Sequence, residues 1–302
     1  MWFWLSLICM FFWSGSDLFS KIGCNFPDDK YNHLKMTIAV GVVMGLLAAY
    51  EIFIGGVAIN WQILLTYLPV SLLYIVSMVV GYAGLKYIEL SISSPICNSS
   101  GALVVIMTLL VVGMGELSVM QLVATGLVCL ATIGLGVVEA REDDAMRQLR
   151  QDFGGHRYNK TWLALGLPII YAILDAAGTF ADSRVLEILD EGSANVAYEL
   201  TFLAAGAVCF VYVVFIKKDK LLPKREVPKY IGAIFETAGQ FAYIYARADS
   251  AHVALSVSII GAYCVVSVVW GRIFLREKLS WKHYLMIGLV AVGILVLGFY
   301  DA

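Results

Sequence analysis

Residues Glu139–Lys160 read EAREDDAMRQLRQDFGGHRYNK, the longest charged run in the chain. Arg141, Arg147, Arg150, Arg157 and Lys160 mix there with five acidic residues, and Gly154-Gly155 ends any helix begun upstream. Hydrophobic halves of similar length flank it, residues 1–138 and 161–302. Each half divides into five apolar spans. An odd number per half makes the second half enter a membrane from the side opposite to the first.

Composition supports the membrane. The 302 residues are 60% hydrophobic and 15% charged, with mean hydropathy +0.81. Soluble domains run about 45–50% apolar and about 25% charged, so this chain holds too little polar residue to cover a water-facing surface. A net charge of -2 argues against nucleic acid as a partner, because that needs a basic face. The cysteines (Cys9, Cys24, Cys97, Cys129, Cys209, Cys264) show neither metal-ligand spacing nor a disulfide framework, and read as buried thiols. H-E-x-x-H, G-x-S-x-G and Walker-type loops are absent, and the four histidines are dispersed. No enzyme, no cofactor and no metal are expected, and ATP cannot drive the protein directly. Met1–Cys9 lacks a basic n-region and its apolar run continues to Trp13, so it reads as a retained first span rather than a signal peptide.

A bilayer core of about 30 Å takes roughly 20 residues of helix. The spans fall at 2–22, 35–54, 62–85, 91–112 and 118–138, then 162–182, 194–216, 229–247, 251–271 and 281–300. All ten are expected to be helical, since only a helix satisfies its own backbone in lipid. Of the 21 Lys and Arg, only Arg184 and Arg247 lie on the side opposite to the connections after spans 1, 3, 5, 7 and 9. Basic short loops stay in the cytoplasm. That puts the linker 139–160 inside, both termini outside, and the protein in the plasma (inner) membrane.

Internal similarity supports duplication. Thr125-Gly126-Leu127-Val128 is answered by Ile287-Gly288-Leu289-Val290, and Gly101-Ala102 by Gly261-Ala262. Glu116-Leu117-Ser118 is answered by Glu277-Lys278-Leu279-Ser280, with one residue inserted. The expected fold is therefore all-α, ten transmembrane helices as two inverted five-helix repeats (1–138 and 161–302) around a charged linker, a common plan of secondary transporters. The partners expected are the lipid bilayer and a small-molecule substrate, with the protein a monomer or homodimer.

Three features resemble the EamA type of the drug/metabolite transporter superfamily. One is the five-plus-five layout. Another is Phe274-Leu275-Arg276-Glu277-Lys278-Leu279-Ser280 before a Gly-rich last helix, similar to that family's F-L-x-E-x-L-s signature. The third is Trp13-Ser14-Gly15-Ser16 followed by Lys21, similar to its W-G-s-n…K first helix. The resemblance implies alternating access around a central site, for amino acids, amines, sugars, nucleotide sugars or drugs.

A charge at mid-helix costs about 2.5–3.5 kcal/mol on insertion scales, so intramembrane acids need a reason. One 158-residue step relates Trp13 to Tyr171 and Asp17 to Asp175. The repeat thus sets a carboxylate in each half, to bind a cation or exchange a proton. Against that, Asp17 could pair with Lys21, one turn on. Asp182 reads as a cap or solvated end beside Arg184, and Glu199 and Lys35 as boundary charges. Glu236, Gln240 and Tyr243 form one polar stripe expected to face the interior; the plainer reading is an interhelical hydrogen-bond network. Span 4 carries Pro95 with Ser94, Asn98 and Ser99, either a broken, cavity-lining helix or a packing kink. Trp13, Tyr74, Tyr82, Tyr171 and Tyr243 lie inside spans, where aromatic faces beside carboxylates suit an organic cation or simply pack. Gly41-Val42-Val43-Met44-Gly45 permits close helix approach. The function expected is a secondary-active carrier of a small cationic or zwitterionic metabolite. A multidrug or quaternary-amine exporter, or a sugar carrier of the same superfamily, is the alternative, and a membrane-embedded enzyme a remote one.

Overall fold

The computed structural model describes residues 1–26, 28–111, 118–141, 143, 162–248, 250–276 and 280–299. Most of the linker, Gly115-Glu116-Leu117, and Glu277-Lys278-Leu279 of the pre-helix signature lie outside the described residues. Among the described residues the regular structure is helical. The helices are α1 (Trp2–Cys24), α2 (Asn32–Phe53), α3 (Trp61–Gly84), α4 (Leu90–Val111), α5 (Val119–Ala140), α6 (Trp162–Val185), α7 (Glu191–Phe210), α8 (Pro223–Arg247), α9 (Val253–Gly261), α10 (Tyr263–Phe274) and α11 (Trp281–Phe299). A π-helical turn, Val211–Ile216, continues α7.

Among the described residues six stretches are long and apolar enough to cross a bilayer: α1, α2, α3, α6, Glu191–Ile216 and Leu255–Phe274. Side-chain sorting fits lipid rather than water outside. Trp4, Leu46, Leu110, Leu130 and Leu295 stand exposed, while Ser6, Ser14, Ser71, Asp182 and Glu199 are completely buried. In lipid the outward surface gains nothing from polarity, and polar side chains join helices from within.

Two spans differ from expectation. α8 begins at Pro223, inside the segment read as a connection. Proline suits a first helical position, since its missing N–H would be unpaired there anyway, and buried Glu226 and Lys229 pair at 3.1 Å on that first stretch. The ninth span, expected unbroken over 251–271, is a 3-10 turn (Ser250–His252) and two helices. They meet at Ala262, whose N–H turns back to Ile259 O at 3.1 Å. α4, where Pro95 suggested a break, stays helical throughout. Asn98 Nδ2 donates to Ser94 O at 2.9 Å beside the proline.

The packing pairs are symmetric under exchange of the halves. α1 packs on α8 and α3 on α6; α2 meets α7, α5 meets α11, and α4 meets α9 and α10. Small residues set the closest crossings. A Cβ on Gly81 would sit 2.7 Å from Tyr171 Cδ2, and one on Gly239 2.7 Å from Trp13 Nε1. The GxxxG of α2 serves this internal packing, with Gly41 against Gly206 of α7.

Candidate functional site

Helices α1, α3, α4, α6 and α8, with Tyr198 of α7 and Tyr263 of α10, line a central cavity. α1 presents Trp13, Ser16, Asp17 and Ser20 to it, one side of a helix stepped by three or four residues. α8 adds Glu236 and Gln240, α6 adds Tyr171 and Asp175, α4 adds Ser94 and Cys97, and α3 adds Tyr74, Met78 and Tyr82. A smaller adjoining cavity shares Trp13, Asp175 and Tyr263 and adds Asn98, Thr179 and Tyr243. The polar stripe of α8 is therefore divided. Glu236 and Gln240 face the central space, and Tyr243 the smaller one.

The acids meet hydroxyls. Asp17 Oδ2 accepts from Ser94 of α4 and, at 2.8 Å, from Ser267 of α10. Asp175 Oδ2 accepts from Ser100 at 2.7 Å. Ser16 and Glu236 line the same cavity, and both aspartates lie within electrostatic reach of Glu236. Lys21 sends its ammonium to Leu85 O and Ile88 O, at 2.6 Å each, tying the α3–α4 turn rather than simply serving Asp17. Trp13 packs its ring 5.0 Å from Tyr243 and 5.8 Å from Tyr263.

Beyond Tyr243 the bundle is sealed by a network that sequence reasoning missed. Asp182 is completely buried, accepts from Tyr67 at 2.6 Å and pairs with Arg247 at 3.7 Å. Arg247 also bonds Tyr243 and Ser183, and Tyr74 meets Tyr243 at 2.7 Å and Thr179 at 3.0 Å. The expectation that Asp182 caps or solvates beside Arg184 is corrected: Arg184 pairs instead with Glu187 on the surface. The signal was there in part, since Arg247 lies one turn past Tyr243 on α8. Two boundary charges also proved internal. Lys35 pairs with Asp29 at 2.8 Å, both buried. Glu199 takes a 3.0 Å bond from Asn195, whose amide also reaches Glu51 at 3.1 Å. His252 stacks on Trp2 at 5.1 Å. Among the described residues no group of His, Cys, Asp or Glu has a metal-holding arrangement.

The fold and cavity together define a helical membrane bundle with a charged interior. Residues 162–299 match the EamA-like transporter family, a family of the drug/metabolite transporter superfamily. The matched part, α6 to α11, includes Asp175, Asp182, Glu236, Tyr243 and Arg247, and together with the apolar helices it indicates an integral membrane protein. No curated protein matches the chain. A solved structure titled "Crystal structure of protein" is similar over 98% of this chain and 96% of its own, at 14% identity and a TM-score of 0.63. That likeness concerns the fold alone.

Proposed function

We propose that the protein is a secondary-active carrier of a small polar metabolite, cationic or zwitterionic, such as an amine or amino acid. It works by alternating access between two inverted five-helix repeats, ten spans in all. Asp17, Asp175 and Glu236 supply negative charge to the substrate, and one of them exchanges a proton. The observation that carries this reading is that three carboxyls from α1, α6 and α8 line one cavity whose described lining includes no Lys, Arg or His. The exchange-symmetric packing of the helices supports the repeat. The Lys and Arg bias supports a plasma-membrane setting with the termini outside and the Asp182–Arg247 end of the cavity outward.

A thermal-shift screen of the purified protein identifies ligands by linkage, and the best ligand is then followed into proteoliposomes. Glu236→Gln and Asp175→Asn are each expected to lower flux about tenfold or more, a loss of about 1.4 kcal/mol or greater. Wild-type flux in both variants would remove the charge-based reading.

A further inference from the structure

Two of the three carboxylates are held from one helix. Ser94 of α4 donates to Asp17, and Ser100 of the same helix donates to Asp175. Six residues of α-helix rise about 9 Å, so the anions stand on the order of 9 Å apart along α4 while one cavity touches both. The nearest guanidinium, Arg247, is within electrostatic reach of Asp175. It is already engaged by Asp182, Tyr243 and Ser183.

A second observation points to a ligand. Gln240 Nε2 and the Tyr82 hydroxyl have no hydrogen-bond partner, belong to residues 2% and 7% exposed, and line the same cavity. Buried polar groups nearly always have a partner in folded proteins. These two unsatisfied atoms belong to side chains on the cavity wall, where a bound molecule can supply the missing partner. The wall of the same cavity also carries the rings of Trp13, Tyr171 and Tyr263, a surface that suits ammonium groups and methylene chains alike.

We infer that the cavity takes a linear aliphatic diamine, one ammonium on Asp17 and the other on Asp175. This rests on the carrier reading's choice of the cavity as the substrate site. A monoamine leaves one carboxylate buried without a counter-charge, which is costly. A zwitterion brings a carboxylate that no basic lining residue meets. The dication answers both anions and leaves Glu236 as the group that exchanges a proton. Ammonium–carboxylate bonds of about 2.8 Å at each end leave about 4–9 Å between the nitrogens, the reach of extended chains of about two to six carbons.

The test is binding to full-length protein in detergent, by titration calorimetry. The probes are ethylenediamine, diaminobutane, diaminohexane and diaminodecane, with butylamine and hexylamine as matched monoamines. Diaminobutane or diaminohexane should bind about tenfold or more tightly than its monoamine, an advantage of about 1.4 kcal/mol, and more tightly than diaminodecane, whose nitrogens stand too far apart. Asp17→Asn and Asp175→Asn should each reduce the diamine to its monoamine's affinity. The wild-type series decides the matter even if a variant fails to fold. Equal affinity for monoamine and diamine, diaminodecane bound as tightly as the shorter diamines, or no binding of any amine overturns the inference. A diamine that binds without being moved in liposomes removes the carrier reading and leaves this one standing. Flux of another solute without diamine binding does the reverse.

Discussion

Two walls of the cavity, α1 on α8 and α3 on α6, repeat each other in shape and differ in chemistry. The step of 158 residues carries Trp13 to Tyr171 and Gly81 to Gly239, and in each wall the aromatic ring rests on the opposed glycine. The same step carries Gly178, which meets Tyr74, onto Ser20, which meets Gly232. Yet it also pairs Glu236 with Met78, Gln240 with Tyr82, and Lys21 with Thr179. Backbone approach and one carboxylate, Asp17 answered by Asp175, are held in common; the other charges are not. Helix crossings tolerate little change because small residues set their distance, whereas a cavity-facing side chain has room to vary.

The largest test of this comparison is the pair that joins the walls at their sealed end. Arg247→Gln leaves Asp182 charged and completely buried, and breaking such a pair costs about 3–5 kcal/mol. The thermal midpoint in detergent should fall steeply. Arg184→Gln, which breaks only the surface pair with Glu187, should cost no more than about 1 kcal/mol. Equal effects would mean that the buried network does not hold the walls together.

Next come the glycines. Gly239→Ala and Gly81→Ala each push a methyl group into a ring, and overpacking of this kind costs about 1–3 kcal/mol. The two losses should be alike when melting curves of the variants are compared. A neutral Gly81→Ala beside a damaging Gly239→Ala would break the equivalence of the walls.

The smallest effect lies in the turns that lead out of α1 and α6. Asn32 ties the first turn by donating to Cys24 O, Phe26 O and Asp29 O. Asp190, its counterpart by the same step, instead caps α7 through a 2.9 Å bond from Ser193 N. Asp190→Ala should cost about 1 kcal/mol. The Ser193 backbone N–H holds the Asp190 carboxyl below its ordinary range. A lowered folded-state pKa gives stability that is present above the unfolded value of about 3.9 and lost as pH falls through the folded one. The gap between wild type and variant should close on acidification. A gap that stays constant into acid would show that the carboxylate is not the cap.

The sequence made the cavity legible where chemistry was out of place. Asp17, Asp175 and Glu236 stand among apolar residues, so their cost in lipid marks them without coordinates. Asp182 was misread because its position near a helix end allows solvation and Arg184 is its neighbour in sequence. The partner that counts, Arg247, comes from another helix, and no one-dimensional spacing joins α6 to α8. The ninth span was misread for a different reason. Gly261-Ala262 is compatible with continuous helix, and the break follows from packing across the bundle, whereas Pro95, a stronger local signal, was accommodated within α4.

That break divides mechanical duties. Ser267, which holds Asp17, rides on α10, while Gly261 at the end of α9 sits against Gly101 of α4, a Cβ there falling 3.6 Å from the Gly101 Cα. The two glycines bring bare backbone against bare backbone at mid-span. Asp17 is thereby tied to both sides of the break's surroundings, to the arm Tyr263–Phe274 through Ser267 and to α4 through Ser94.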